Sequence, residues 1–202
     1  MNACELGKNY DKIASWWDKT INPQYGVKYL DRAISLCQSR NTALDVGCGS
    51  GGRMIEAMQE AGYKITALDA SQGMLEIAKQ KHTDVNFIYS DFLDWESEEA
   101  FDLVVAWDSI FHAPRRDQAS ILFKLCAHLA PEGILIFTGG DEDGDIQGSD
   151  MQGVPFEYGS ISYMKRLKII EQSHCDIFIM ERDQPPHPKH MVFICKRRND
   201  EQ

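Results

Sequence analysis

The segment Thr42–Ala61, TALDVGCGSGGRMIEAMQEA, constrains the fold more than any other part of the chain. TALDV reads as a buried strand, the glycines from Gly47 as a loop, and RMIEAMQEA as a helix that Gly62 stops. Strand, glycine turn and helix in that order form the opening of a βαβ unit, which demands a parallel partner strand. The demand is met downstream. KITAL begins a second strand, Met74–Lys81 has helical periodicity, and VNFIY and FDLVVAW are strand-like. Ile121, Leu125 and Leu129 share a helical face, and PEGILIFT returns as a strand. Regular alternation with right-handed crossovers predicts an α/β fold, a doubly wound Rossmann-like sheet with helices on both faces and its ligand at the carboxyl ends of the strands.

Two helices precede this core, one with Tyr10, Ile13, Ala14 and Trp17 on a face, the other with Leu30, Ala33, Ile34 and Cys37. After it, Gly139–Gly159 reads as a long loop rich in Gly and Asp. A helix over Ser162–Glu171 and the strands CDIFIM and HMVFICK follow. At 202 residues, one domain is expected: a helical cap (1–41), a ligand-binding core (42–138), a capping loop (139–160) and a C-terminal helix with strands (161–202).

The glycine loop poses a chemical question. Gly47, Gly49 and Gly52 satisfy the GxGxxG spacing of dinucleotide-binding folds, and Asp69 ends the next strand where ribose hydroxyls would lie. A nicotinamide oxidoreductase is therefore open on spacing alone. Asp45, just before the loop, opposes it, because a carboxylate repels a pyrophosphate and attracts an ammonium or a sulfonium.

With these features in hand, the chain resembles the class I S-adenosylmethionine-dependent methyltransferases through LDVGCGSGG, ITALDASQGMLEIAK, IYSDFLDW, FDLVVAWDSIFH and LAPEGILIFT, in the order of that family. The resemblance implies a seven-stranded sheet with an antiparallel last strand, which HMVFICK matches, and S-adenosyl-L-methionine as cofactor. It assigns Asp45, Gly47, Cys48, Gly49 and Ser50 to the methionine half of the cofactor. Asp69 is implied to bind the ribose hydroxyls, Ala70 and Met74 to lie against the adenine, Asp91 and Phe92 to meet its amino group and ring, and Trp107 to face the methyl donor. Each has a plainer alternative: Asp69 as a cap or turn residue, Met74 as core, Cys48 as a backbone contact only.

Methyl transfer is an in-line displacement in which positioning supplies much of the acceleration, and a base is needed only where the acceptor carries a proton that must leave. His112 is the candidate base, expected at the mouth of the pocket with an imidazole titrating near neutrality; the alternative is a cap for a helix starting near Arg115. Asp108 is a second candidate, as a base or as an anchor for a cationic substrate; its alternative is a turn residue. Tyr158 and Glu157 are candidates for substrate contact, and Trp16 and Trp17 form either a packing pair or an aromatic wall.

The net charge of −10 argues against a nucleic-acid partner, and no apolar run reaches membrane-spanning length. Six scattered cysteines without a CxxC pair suggest neither a zinc clip nor a disulfide framework, so a cytoplasmic protein with reduced thiols is expected. His187 and His190 would be metal ligands only with further partners, and no metal is expected. The reading that results is methyl transfer to a small-molecule acceptor, at oxygen or nitrogen, with a noncatalytic cofactor-binding protein as the alternative. Oligomeric state is left open.

Overall fold

The computed structural model describes residues 1–183 and 190–199. The strands are β1 Thr42–Val46, β2 Lys64–Asp69, β3 Asn86–Tyr89, β4 Phe101–Ala106, β5 Leu129–Gly140, β6 Gly144–Met151, β7 Val154–Ser160, β8 Cys175–Arg182 and β9 His190–Arg197. The helices are α1 Ala3–Thr20, α2 Val27–Leu36, α3 Arg53–Glu60, α4 Gln72–Lys81, α5 Arg115–Ala127 and α6 Tyr163–Gln172.

Seven strands form one sheet in the order β3-β2-β1-β4-β5-β9-β8. β1 to β5 run parallel, and β9 is antiparallel to both β5 and β8. Successive residues of each strand feed opposite cores, as the two-residue period requires. On one face Leu44, Val104, Leu135 and Phe193 pack against Leu122 and Leu125 of α5 and Ile169 and Ile170 of α6. On the other, Ala43, Leu103, Ile136 and Ile194 pack against Leu30 and Ala33 of α2 and Ile55 and Met58 of α3. The chain leaves β1 toward β2 and later returns to the other side of β1 with β4. That reversal opens a crevice above the carboxyl ends of β1 and β4.

Two expectations need correction. Leu129 begins β5 instead of extending α5, which ends at Ala127 with His128 as its cap. The predicted 139–160 loop is a strand end followed by a two-stranded sheet: β5 runs to Gly140, and β6 and β7 form an antiparallel hairpin. Its turn residues, Gln152 and Gly153, have φ of 57° and 76°, the left-handed pair that matches the twist of hairpin strands. The polar, acidic face of the hairpin hides the alternation that would have marked it.

α1 lies across the crevice as a roof. Asn2 caps it in a reciprocal box with Glu5 (2.9 and 3.1 Å). Asp11 Oδ1 accepts from Ser71 Oγ (2.6 Å) and Gly73 N (2.8 Å) at the start of α4, and Asp18 pairs with Lys81 at its end. Toward the hairpin, Asn9 Nδ2 donates to the Pro155 carbonyl (3.0 Å), and the terminal ammonium of Met1 pairs with Glu157. Ile13 packs with Val154 and Phe156.

Candidate cofactor and methyl-transfer site

A cavity of about 240 Å³ occupies the crevice, lined by every residue expected to hold the cofactor and by Asp108 and His112, but not by Trp16, Glu157 or Tyr158. Its floor is the glycine loop. Gly47, Gly49 and Gly51 have φ of 80°, 57° and 65°, which side chains disfavour, and a Cβ on Gly47 would stand 2.4 Å from that of Ser109. Gly52 has an unexceptional φ of −94° and open space where a Cβ would be. The left-handed conformations and the closest approach thus fall at Gly47, Gly49 and Gly51, a GxGxG spacing, while Gly52, with ψ of −141°, starts α3.

Two carboxyls flank the loop. Asp69 Oδ2 accepts from Gly49 N and Oδ1 from Ser71 N, both at 2.8 Å, so the turn-residue role is real. Each oxygen keeps a lone pair for a further donor. Burial pushes this carboxyl up to about 6, against the pull of those two N–H groups. Asp45 is only 3% exposed, and burial, reinforced by the charge of Asp69, pushes it up to about 7; Arg53 opposes the rise. A carboxyl held at that point gains most from a cationic ligand, which restores its ionised form.

Around these, Met74 is fully buried beneath the cavity and so serves core and wall at once. Ala70 receives α1 so closely that a Cβ on Gly7 would lie 1.9 Å from its carbonyl oxygen. Asp91 Oδ1 accepts from Leu93 N (2.9 Å), and the Phe92 ring stacks on Trp95 at 6.2 Å. Ser50 and Cys48 complete the loop's wall, Cys48 with its thiol pushed well up by burial. Trp107 is held within the core, stacked on Tyr29 (5.7 Å, 27°) with its edge to Tyr25, and reaches the cavity from there. Trp16 packs against the Ile13 cluster, whereas Trp17 lines the cavity.

The candidate base differs from expectation. His112, in a 3-10 turn at Ile110–His112, is 7% exposed instead of standing at a mouth, and burial pulls its imidazole down to about 4. It does not cap α5, whose cap is Pro114 with no side-chain bond. Its Nε2 is 2.8 Å from Tyr10 Oη, with the rings edge-on at 5.5 Å. Its Nδ1 is buried without a hydrogen-bond partner among the described residues, and the Glu157 backbone opposes the fall only in part; in the Nδ1–H tautomer Nε2 accepts from Tyr10. Burial, with Tyr158, Asp69 and Asp108 nearby, holds the Tyr10 phenol well above its ordinary value.

Asp108 takes a left-handed turn conformation (φ 52°), its N–H donating to Thr138 Oγ1 (2.8 Å), whose hydroxyl donates to Asp108 Oδ1 (3.1 Å). His190 Nδ1 lies 3.6 Å from the same carboxyl oxygen and 3.5 Å from Tyr25 Oη, which donates to Asp183 at 2.5 Å. His187 lies outside the described residues. Tyr158 packs on His112 and Phe111, and Glu157 is engaged by Met1. Sequence reasoning missed Tyr10 and Arg53. Arg53 directly follows the glycines and could have been found from that position; Tyr10 gave no local signal.

A family profile described as a methyltransferase domain matches residues 43–133. A ubiquinone biosynthesis O-methyltransferase of Rickettsia akari is 29% identical over 150 residues, covering 66% of this chain and 58% of that protein. An S-adenosylmethionine-dependent methyltransferase of Clostridium acetobutylicum superposes with a TM-score of 0.71 at 16% identity, covering 94% of this chain and 99% of that one. The chain carries a methyltransferase domain over residues 43–133 and has the fold of the S-adenosylmethionine-dependent methyltransferases.

The chain spans about three fifths of the length of the curated relatives it matches. Likeness of structure at such low identity establishes the fold alone: the [4+2]-cyclase SpnF superposes with a TM-score of 0.73 at 14% identity, covering 98% of this chain and 97% of that one. The cofactor of the family fits the residues present. Asp69 has lone pairs free for two hydroxyl donors, Asp45 sits where a cation relieves it, and a Cβ at Gly49 would project into open space along the loop.

Proposed function

We propose that this chain transfers the methyl group of S-adenosylmethionine to a small-molecule acceptor, at oxygen or nitrogen, by in-line displacement. The observation that carries the reading is the single cavity that joins the strand-end carboxyls Asp45 and Asp69 and the GxGxG loop to a wall made by Tyr10, Asp108 and His112. The O-methyltransferase relatives support an oxygen acceptor. When bound, the cofactor supplies an electrophilic methyl group. The protein's part is to hold it: Asp45 at the ammonium, Gly47, Cys48, Gly49 and Ser50 along the tail, Asp69 at the ribose, and Ala70, Met74, Asp91 and Phe92 around the base.

At the acceptor side, Tyr10 Oη stands between the cavity and His112. Its oxygen can receive the acceptor's proton while its own passes to His112 Nε2, so that the phenol stays neutral and the imidazole ends protonated. Asp108, fixed by Thr138, is the anchor for the polar group of the acceptor. Trp107 walls the methyl side. We assign the protein to the cytoplasm, a reading supported by six free thiols, and to small-molecule chemistry without nucleic acid, supported by the net charge of −10. No described helix is long and apolar enough to cross a membrane.

The test begins with binding. S-adenosylhomocysteine should raise the melting temperature and give a calorimetric isotherm, because a ligand selective for the folded state stabilises it by mass action, and NAD should do neither. Stabilisation by NAD alone would overturn the reading. Labelled S-adenosylmethionine and a metabolite extract, followed by mass spectrometry, then identify the acceptor. Tight binding with no labelled product from any extract would favour a noncatalytic role.

A further inference from the structure

His112 is a wall of two cavities. Tyr10, which meets its Nε2, lines only the crevice. Glu157, whose backbone is near enough to the ring to oppose the fall of its titration, lines only a second cavity of about 60 Å³, shared with Arg115, Asp145 and Gly159. The small cavity therefore lies on the Nδ1 side of the ring. Nδ1 is buried in a residue that is 7% exposed and has no hydrogen-bond partner among the described residues. Buried polar atoms are matched by protein or by ordered water, because an unpaired one forfeits its hydration. The volume exceeds the roughly 15 Å³ that one water needs, and Arg115, Asp145 and Glu157 place polar groups in the other walls to hold it.

The charges around this cavity decide which way a water in it points. Two nitrogens of Arg115 are committed, Nη2 to Asp143 (2.6 Å) and Nε to the Ser160 carbonyl (3.2 Å), and the Met1 ammonium is taken by Glu157. Asp145 stands 4.0 Å from Arg115 Nε, the one cation that reaches it among the described residues. Carboxylate lone pairs thus outnumber the N–H groups left over, and they draw the hydrogens of the water toward β6 and β7, which turns its oxygen to the ring. An oxygen so placed accepts from Nδ1–H and repels the lone pair that Nδ1 carries in the other tautomer. We propose that the small cavity binds a water that accepts from His112 Nδ1, fixes the Nδ1–H tautomer and so keeps the Nε2 lone pair on Tyr10 Oη. Without it the hydrogen moves to Nε2, Tyr10 becomes the acceptor, and the relay is blocked. The inference rests on the Tyr10–His112 relay proposed above and supplies what orients it, since the partner of one ring nitrogen sets the state of the other.

The tautomer is read by NMR of protein with nitrogen-labelled histidine, without cofactor or acceptor. The wild-type protein should show a protonated Nδ1 and an unprotonated Nε2 at His112, with magnetisation transfer from water to Nδ1–H. Gly159→Val fills the small cavity from a residue that does not line the crevice. It should move the hydrogen to Nε2 and lower kcat with the identified acceptor by about tenfold or more, while affinity for S-adenosylhomocysteine stays unchanged. Asp145→Asn combined with Glu157→Gln, which keeps the volume and removes the charges, should give a mixture of tautomers and an intermediate kcat. A wild-type His112 with its hydrogen on Nε2, or with an Nδ1–H that water does not reach, overturns the proposal even if Gly159→Val fails to fold. So does a folded Gly159→Val protein that keeps tautomer and turnover, or one that loses turnover with the tautomer unchanged, since the shape of the hairpin would then be at work. Full turnover in Tyr10→Phe refutes the relay itself, a separate outcome that leaves the tautomer measurement standing.

Discussion

At His112, a residue whose ordinary chemistry is a titration near pH 6.5 is buried until it titrates near 4. A base that must be neutral to accept a proton is then fully competent from about pH 5.5 upward. Turnover at saturating cofactor should be flat from pH 5.5 to 8, where an ordinary imidazole would give a rising limb; kcat with the identified acceptor checks this, since rates below saturation also follow Asp45 and Asp69. Tyr10→Phe keeps the ring contacts with Trp17 and Phe156 but removes the hydroxyl that bridges to His112. It should lower turnover about 100-fold or more, the usual range for a lost proton-transfer group, without changing S-adenosylhomocysteine affinity. Wild-type turnover in Tyr10→Phe, or a rate that rises through pH 6.5, would exclude the relay. Asp45 and Asp69 were legible because a strand-end carboxylate beside a glycine loop has a local signature. Arg53, next to the glycines, offered a comparable local signal that went unused, whereas Tyr10 offered none, because its contact with His112 exists only where α1 meets the 3-10 turn.

Among the elements, α1 decides whether the site is closed. It meets α4 with no room to spare: a Cβ at Gly7 would fall 1.9 Å from the Ala70 carbonyl oxygen, a fixed backbone atom, so the helix would have to lift. Lifting it breaks the contacts of Asp11 with Ser71 and Gly73 and withdraws Leu6, Tyr10 and Trp17 from the cavity. Gly7→Ala should therefore weaken S-adenosylhomocysteine binding by about tenfold or more and lower the melting temperature, even though alanine favours helix over glycine by about 1 kcal/mol. A variant stabilised by that propensity, with unchanged affinity, would show that α1 does not dock this way in solution. Periodicity revealed the core face of this helix, as it did for α2 and for Ile121 and Leu125 of α5, but a glycine inside a helix does not say which backbone presses on it. The β6–β7 hairpin was misread for a related reason. Its Gly and Asp content is that of a loop, while the left-handed pair Gln152–Gly153 that makes it a hairpin carries no proline or asparagine to announce the turn.

At the switch point of the sheet lie three buried groups with displaced titrations, Asp45, Asp69 and His112, and their balance sets the site's response to pH; His128, against Trp95 and away from the cavity, is lowered by burial in the same direction as His112. The parallel order of β1 to β5 followed from strand and helix alternation, whereas the antiparallel β9 followed from family resemblance, since periodicity cannot give strand direction. In the fold Asp45 and Asp69 titrate near 7 and 6 instead of 3.8, so between pH 4 and 7 the native state keeps protons that the unfolded chain has released. Stability from these groups falls as pH rises through that window. His112 acts oppositely: between pH 4 and 6.5 the unfolded chain holds the proton that the native state excludes, and stability rises with pH. Two carboxyls outweigh one imidazole below pH 6, Asp45 and His112 nearly cancel up to 6.5, and Asp45 alone sets the slope above it. The ligand-free protein should lose on the order of 1 kcal/mol between pH 5.5 and 7.5, seen as a fall of about 2–4 °C in melting temperature. On the proposed assignment of the cofactor's ammonium to Asp45, saturating S-adenosylhomocysteine favours the ionised carboxylate, so the stabilisation it confers should widen over the same interval. Asp45→Asn should flatten the ligand-free profile above pH 6.5 and remove the widening. A ligand-free melting temperature that climbs from pH 5.5 to 7.5, or a ligand-induced shift that is constant with pH, would mean that Asp45 is not the group the cationic tail relieves.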